Sequence, residues 1–362
     1  MVDELPAYGP SGQGEHLYIT FRKVSLTTRD AIQAIAEALG VDPRGAGHAG
    51  MKDRHAVTTQ AASFPFPMAR AFEPAVAALS LPGIAILAAA RHDNKLKPGH
   101  LIGNRFTLVL RDVRQARPGS TSREADVAAL CARLEAIGRE GVPNAFGPQR
   151  FGRDGDNADR ALAWMAGTSR GPRDKRDQRL LFSALQSRLF NEVLALRVQG
   201  DPSWAEVVAG DIAKKHDTGG LFAVPLEGPE LDEARARALA GAISATGPMF
   251  GARMRWPEGA PLALEREVLA RTMPDPGRLE AFRHLGEGTR RSLRLWVQEM
   301  RVVPGPATLP DGNVSESSIT ASFVLPKGGY ATTVLSRACR IVDRMLPQTG
   351  TEPFETEPAD ST

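Results

Sequence analysis

The chain holds only two cysteines in 362 residues, Cys131 and Cys339, far apart and with no CxxC spacing or clustered histidines. A disulfide framework and a structural zinc site are thereby excluded as organising devices, and two reduced, buried thiols are the simpler reading. There is no run of 18 apolar residues, so no transmembrane helix is expected. The N-terminal MVDELPAYGP has neither the basic nor the apolar region of a secretory signal. Internal repeats and a low-complexity core are also missing. These absences point to a cytoplasmic protein with no membrane partner and no metal.

What is present suits a globular protein. Hydrophobic residues make up 42% and charged residues 24%, and the length suffices for two domains. The net charge of +3 understates how basic the body is. The last twelve residues, TEPFETEPADST, hold four acids and no Lys or Arg; without them the charge is about +7. A basic, Arg-rich body suits a polyanion such as nucleic acid. The composition of the tail predicts disorder over 348–362.

Alternation of Leu17, Ile19 and Phe21 predicts a first strand over 17–22. A helix follows, capped by Thr27 or Thr28, burying Ile32, Ile35, Ala36 and Leu39 and ending at Gly40. Strands are expected over 56–64 and 106–111, and a helix over about 122–138 with Val127, Leu130, Leu134 and Ile137 inward. The segment VPNAFGPQRFGRDGDN (142–157) reads as an ordered loop or short turns. From about 160 to 295 the texture becomes more helical, with helices expected over 180–198, 231–243 and 262–271. A strand through Ile319, Ala321 and Phe323 leads to Pro326, and a last helix is expected to bury Val334, Leu335, Ala338, Ile341, Val342 and Met345.

The stretch GMKDRHAVTTQ (50–60) places Asp53 between Lys52 and Arg54 on a loop between a helix and a strand. Adjacent positive charge favours an ionised carboxylate. Such a group can be a nucleophile, a base or an ion-pair partner, and an isolated Lys-Asp-Arg is most simply a capping or ion-paired loop. Five further blocks accompany it: SGQGEHLYITFRK (11–23), KLKPGHLIGNRFTLVLR (95–111), VPNAFGPQRFGRDGDN (142–157), FSALQSRLFNEVLALR (182–197) and LPKGGYATTVL (325–335). In this order and spacing, the blocks resemble the TruD family of tRNA pseudouridine synthases.

The resemblance implies an α+β fold. Its pseudouridine-synthase-like catalytic domain, with a mixed, largely antiparallel sheet, is formed by 1–152 and 296–347. An α+β TRUD domain is inserted at 153–295. It also implies isomerisation of a uridine in tRNA, at position 13 in bacterial relatives of this size, with no cofactor and no protein partner. Asp53 matches the family's catalytic aspartate, whether it attacks C1′ or abstracts a sugar proton; either role needs a deprotonated carboxylate, which Lys52 and Arg54 would favour.

Asn104 and Phe106 match the motif beside the target base, where an aromatic face can stack on uracil. Alternatively, they are a turn residue and an inward strand residue. Tyr330, after Gly328-Gly329, matches an aromatic that contacts substrate or packs at a helix start. Glu15 is expected to form a charge pair under the active-site floor, and Arg150 to brace the junction of the two domains or to meet phosphate. Two basic groups, Arg170 to Arg179 and Arg91 to Lys97, are further phosphate candidates. Relatives carry an additional N-terminal segment, so a phenylalanine and a strand of the usual pocket are expected to be missing. Ala145 stands where an aromatic is common and Ser336 where an arginine is expected. A non-catalytic RNA-binding protein or tRNA chaperone using the same cleft is the alternative; a nucleoside hydrolase would fit Asp53 but not the basic body.

Overall fold

The computed structural model describes residues 1–114, 122–200, 203–273, 275–308, 314–315 and 317–342; the acidic tail and Met345 lie outside the described residues. In chain order the strands are β1 (Val2–Pro6), β2 (His16–Lys23), β3 (Gly47–His48), β4 (Thr58–Pro65), β5 (Ile84–His92), β6 (Leu101–Leu110), β7 (Val142–Pro143), β8 (Ile212–Lys215), β9 (Leu221–Ala223), β10 (Ile243–Met249), β11 (Thr289–Ser292), β12 (Arg294–Leu295), β13 (Gln298–Pro304), β14 (Ala307–Thr308), β15 (Val314–Ser315) and β16 (Ile319–Pro326). The helices are α1 (Thr28–Leu39), α2 (Glu73–Ala77), α3 (Arg123–Glu140), α4 (Asn157–Ala166), α5 (Lys175–Gln199), α6 (Pro229–Leu239), α7 (Gly259–Thr272), α8 (Arg278–Ala281) and α9 (Ala331–Ala338).

The larger sheet runs β13-β16-β6-β1-β4-β2-β5, with β3 beside β4. Its pairs are antiparallel except β1 with β4. Residues directly opposite in neighbouring strands share a face. Leu17, Ile19, Phe21, Ala62 and Phe64 on one side of that face are buried under α1. Phe323, Leu325, Ile319 and Ala321 on the other side are buried with residues of α3 and α9. Two helical layers thus cover the two flanks of one sheet face, and the strip between them carries polar residues.

Local chemistry explains α1. Thr27 accepts from the Asp30 amide at 3.1 Å, the Asp30 carboxylate accepts from the Thr27 amide at 3.2 Å, and Gly40 ends the helix at φ 67°. The second sheet, β11-β10-β8-β9, packs with α4 to α7 in two clusters built almost wholly from residues 158–293. The fold is thus α+β, with an α+β unit inserted into the chain of the larger sheet.

Several sequence expectations are corrected. At the N-terminus Val2–Pro6 forms a strand that the sequence reading did not assign, lying between β6 and β4. The helix expected through Ile243 stops at Leu239, and Ile243 opens β10, every residue of which is buried. Burial on both faces erases the alternation that marks a strand. The last helix ends at Ala338; Val334, Leu335 and Ala338 are buried, whereas Ile341 and Val342 are exposed.

Candidate active site

The polar strip is built by register. Lys23 of β2 lies opposite Thr58, Thr58 opposite Val2, and Val2 opposite Phe106. One row along, Glu4 lies opposite Asn104, and Asn104 opposite Leu325. Lys23, Thr58 and Gln60 are fully or almost fully buried. Thr58 Oγ1, Gln60 Nε2 and Asn104 Oδ1 are buried with no hydrogen-bond partner among the described residues. Polar groups left unsatisfied in this way are uncommon in native folds and call for a specific account.

The loop carrying Asp53 closes over the Lys23 end of this strip. Lys23 Nζ donates to the Asp53 main-chain carbonyl at 2.7 Å. Burial lowers the Lys23 pKa, and the Asp53 carboxylate partly offsets this. The Lys52 amide donates to Thr28 Oγ1 at 2.8 Å, and that hydroxyl donates to Gln60 Oε1 at 3.1 Å. Asp53 itself is exposed, its Oδ1 accepting the His55 amide at 2.9 Å. The result is an exposed carboxylate on a backbone pinned from below.

Phe106 is half-buried, its ring stacked on Phe323 with centroids 5.7 Å apart. It therefore packs inward and also borders the strip. Tyr330 precedes α9 and is 42% exposed. The turn before it folds back over Leu325, the cross-strand neighbour of Asn104: a Cβ at Gly329 would lie 3.0 Å from that of Leu325. Asn104, Phe106 and Tyr330 thus share one flank of the strip, and the Asp53 loop closes the other.

The family model described as tRNA pseudouridine synthase D (TruD) matches residues 1–159 and 174–338. The chain belongs to the TruD family of tRNA pseudouridine synthases. It is 43% identical to the tRNA pseudouridine synthase D of an Anaeromyxobacter species, covering 92% of this chain and 88% of that one. With the tRNA pseudouridine synthase D of Thermus thermophilus the identity is 39%, covering 94% and 86%. A crystal structure of a putative tRNA pseudouridine synthase D from Methanosarcina mazei superimposes with a TM-score of 0.74 at 21% identity, covering 93% of this chain and 90% of that one. That likeness supports the fold.

Within this TruD fold the supporting residues are placed differently from expectation. Lys52 does not face Asp53. Its ammonium turns inward to Glu4 Oε2 at 2.5 Å, with both side chains almost fully buried, and Glu4 Oε1 accepts the Ala61 amide at 3.3 Å. Arg54 is exposed. Glu15 is exposed beyond the His16 end of β2, one strand length of roughly 23 Å from Lys23. It makes no ion pair among the described residues, so the charge pair under the floor belongs to Glu4. Arg150 donates from Nε to Ser187 Oγ at 3.0 Å and lies 5.4 Å from the Phe146 ring.

Of the other basic groups, Arg91 is buried, donating to the carbonyls of Gly14, Phe66, Pro67 and Arg70; it braces loops. Arg170, Arg173, Lys175, Arg176 and Arg179 are exposed. Sequence reasoning missed Lys23, Glu4, Thr28 and Gln60. Lys23 and Thr28 sit at element ends where solvated side chains are the norm, and Glu4 sits in a five-residue strand with no apolar period; only the surrounding fold makes them interior. Among the described residues no helix is long and apolar enough to cross a membrane, and no cluster suits a metal ion.

Proposed function

We propose that this chain converts a uridine of tRNA, the uridine at position 13, into pseudouridine, with Asp53 as the group that acts on the sugar. The reaction breaks the N1–C1′ bond, joins C1′ to C5, and exchanges one proton at C5 for one at N1. Atoms and electrons balance within the nucleotide, so the demand on the protein is for a carboxylate, a place for the extruded base and exclusion of water. The observation that carries the reading is the exposed Asp53 carboxylate on a backbone held by Lys23 and Thr28 at the rim of the polar strip. Asn104 offers an amide to the nucleotide, Phe106 an edge or face to the base, and Tyr330 an aromatic wall on the same flank, across the strip from the Asp53 loop. The inserted unit, taken as 153–295, stands beside the strip as a second wall for the RNA. The choice of position 13 rests on the resemblance to bacterial relatives of this size.

The test is incubation with unmodified tRNA and carbodiimide mapping of pseudouridine. Asp53→Asn is expected to abolish product while tRNA binding stays within about twofold, since asparagine keeps an Oδ1 acceptor for the His55 amide and the exposed side chain is not part of the core. Full activity in that variant would remove Asp53 from the chemistry. Binding without product in the unsubstituted chain would instead favour a chaperone.

A further inference from the structure

At the junction of the two sheets, two arginines, Arg150 and Arg291, share the Phe146 ring. Arg290 and Arg291 are neighbours on β11 and point to opposite sides. Arg290 is buried against Glu265, at 2.6 and 2.8 Å. Arg291 stacks 4.0 Å from the Phe146 ring, donating to Asn144 Oδ1 at 2.5 Å and to the Asn144 carbonyl at 3.3 Å. Arg150 approaches the same ring. Among the described residues neither Arg150 nor Arg291 forms an ion pair with an acid, whereas Arg188, Arg197 and Arg290 in the same unit all do.

Burial lowers the Arg291 pKa to about 10; Tyr330 partly opposes this, and the like charge of Arg150 adds to it. A desolvated cation beside a second cation is costly without an anion. The fork geometry of guanidinium suits phosphate oxygens, and stacking on Phe146 fixes the plane of the Arg291 fork. The position is also informative. A Cβ on Gly328 would lie 3.9 Å from Arg291 Nη1, so this arginine sits against the turn that leads to Tyr330 and rests on Leu325 beside Asn104.

We infer that Arg150 and Arg291 form an anion site that holds one backbone phosphate of the RNA next to the nucleotide entering the polar strip. The inference rests on the RNA-modifying reading above. It makes the Gly328–Tyr330 turn the point where the RNA backbone crosses from the inserted unit to the larger sheet.

The experiment measures tRNA affinity of the full chain against salt concentration for the unsubstituted protein, Arg150→Gln, Arg291→Gln, the double variant and Arg150→Lys. Each phosphate that the protein no longer neutralises makes the log–log slope shallower by roughly 0.7–0.9. Each Gln variant is expected to lose up to that one step, and the double variant no more than one in total, because both groups hold the same phosphate. Arg150→Lys is expected to keep the slope. A purely bracing role would shift thermal stability and leave the slope unchanged, and that result would overturn the site. Arg150→Gln, half-exposed, keeps the test valid if Arg291→Gln fails to fold.

If the unsubstituted chain binds no tRNA, the RNA reading fails by itself, and inorganic phosphate becomes the probe. A rise in melting temperature with phosphate in the unsubstituted chain, absent in Arg150→Gln, would support the anion site. An equal rise or none in both would overturn it.

Discussion

Lys23→Met separates the positioning of Asp53 from the stability of the fold. Lys23 is wholly buried, and its ammonium donates to the Asp53 carbonyl at 2.7 Å. A hydrogen bond from a charged group contributes about 1.5–3 kcal/mol. If that restraint acts on the geometry of the transition state, its loss slows the chemical step by roughly 10- to 100-fold. Methionine nearly matches the length of the lysine stem and removes a desolvated charge, which offsets much of the lost bond. Global stability is therefore expected to change by less than about 1 kcal/mol.

The sign with pH follows from the lowered Lys23 pKa. The cost of burying the ammonium is fully present below the folded value and is relieved as pH rises towards the ordinary 10.5. Methionine should therefore gain most, relative to lysine, at neutral pH. The assay is single-turnover pseudouridine formation at saturating enzyme, with tRNA affinity and denaturant unfolding measured alongside. A Met variant that turns over within about twofold of the parent would refute a positioning role. So would a fall in activity fully matched by a loss of folded protein.

Other perturbations test the surroundings. Glu4→Gln strands the buried Lys52 ammonium and should cost about 3–5 kcal/mol in denaturant unfolding, much of it recovered in the Glu4→Gln, Lys52→Met double variant. Gly103→Ala would place a Cβ 2.2 Å from the Leu325 carbonyl oxygen between paired strands; a melt should show a loss of at least about 1–3 kcal/mol, and an unchanged melting temperature would contradict the register of β6 with β16. Burial lowers the pKa of His216, with the Gly241 carbonyl partly opposing, and burial likewise lowers His16 and His48. The unfolded chain then binds protons first, so stability should fall as pH drops below the ordinary 6.5. His216→Gln should flatten that acid limb; an unaltered limb would exclude His216 from it.

Features set by neighbours in the chain were legible before the fold was known. The Thr27 cap and Gly40 stop of α1 depend on residues three or four apart, and the inward Leu17, Ile19 and Phe21 depend on the two-residue period of a strand. Illegible elements were those whose burial comes from elsewhere. β1 is a short VDELP that becomes a strand only because β4 and β6 flank it. β10 is buried on both faces and carries no period.

The site divides in the same way. Sequence alone determined the family, the loop that presents Asp53, and Asn104 and Phe106 as members of one motif, because ordered motifs are properties of a single chain; that Asn104 lies within β6 on the same face as Phe106 came from the fold. Tertiary structure decided the charges. It turned Lys52 away to Glu4, set Lys23 under Asp53, left Glu15 at the far end of its strand, and brought Arg291 and Arg150 to one Phe146 ring with no acid paired to either among the described residues. Whether a charge is paired, and by which group, depends on residues tens to hundreds of positions away, and only the folded backbone sets those distances.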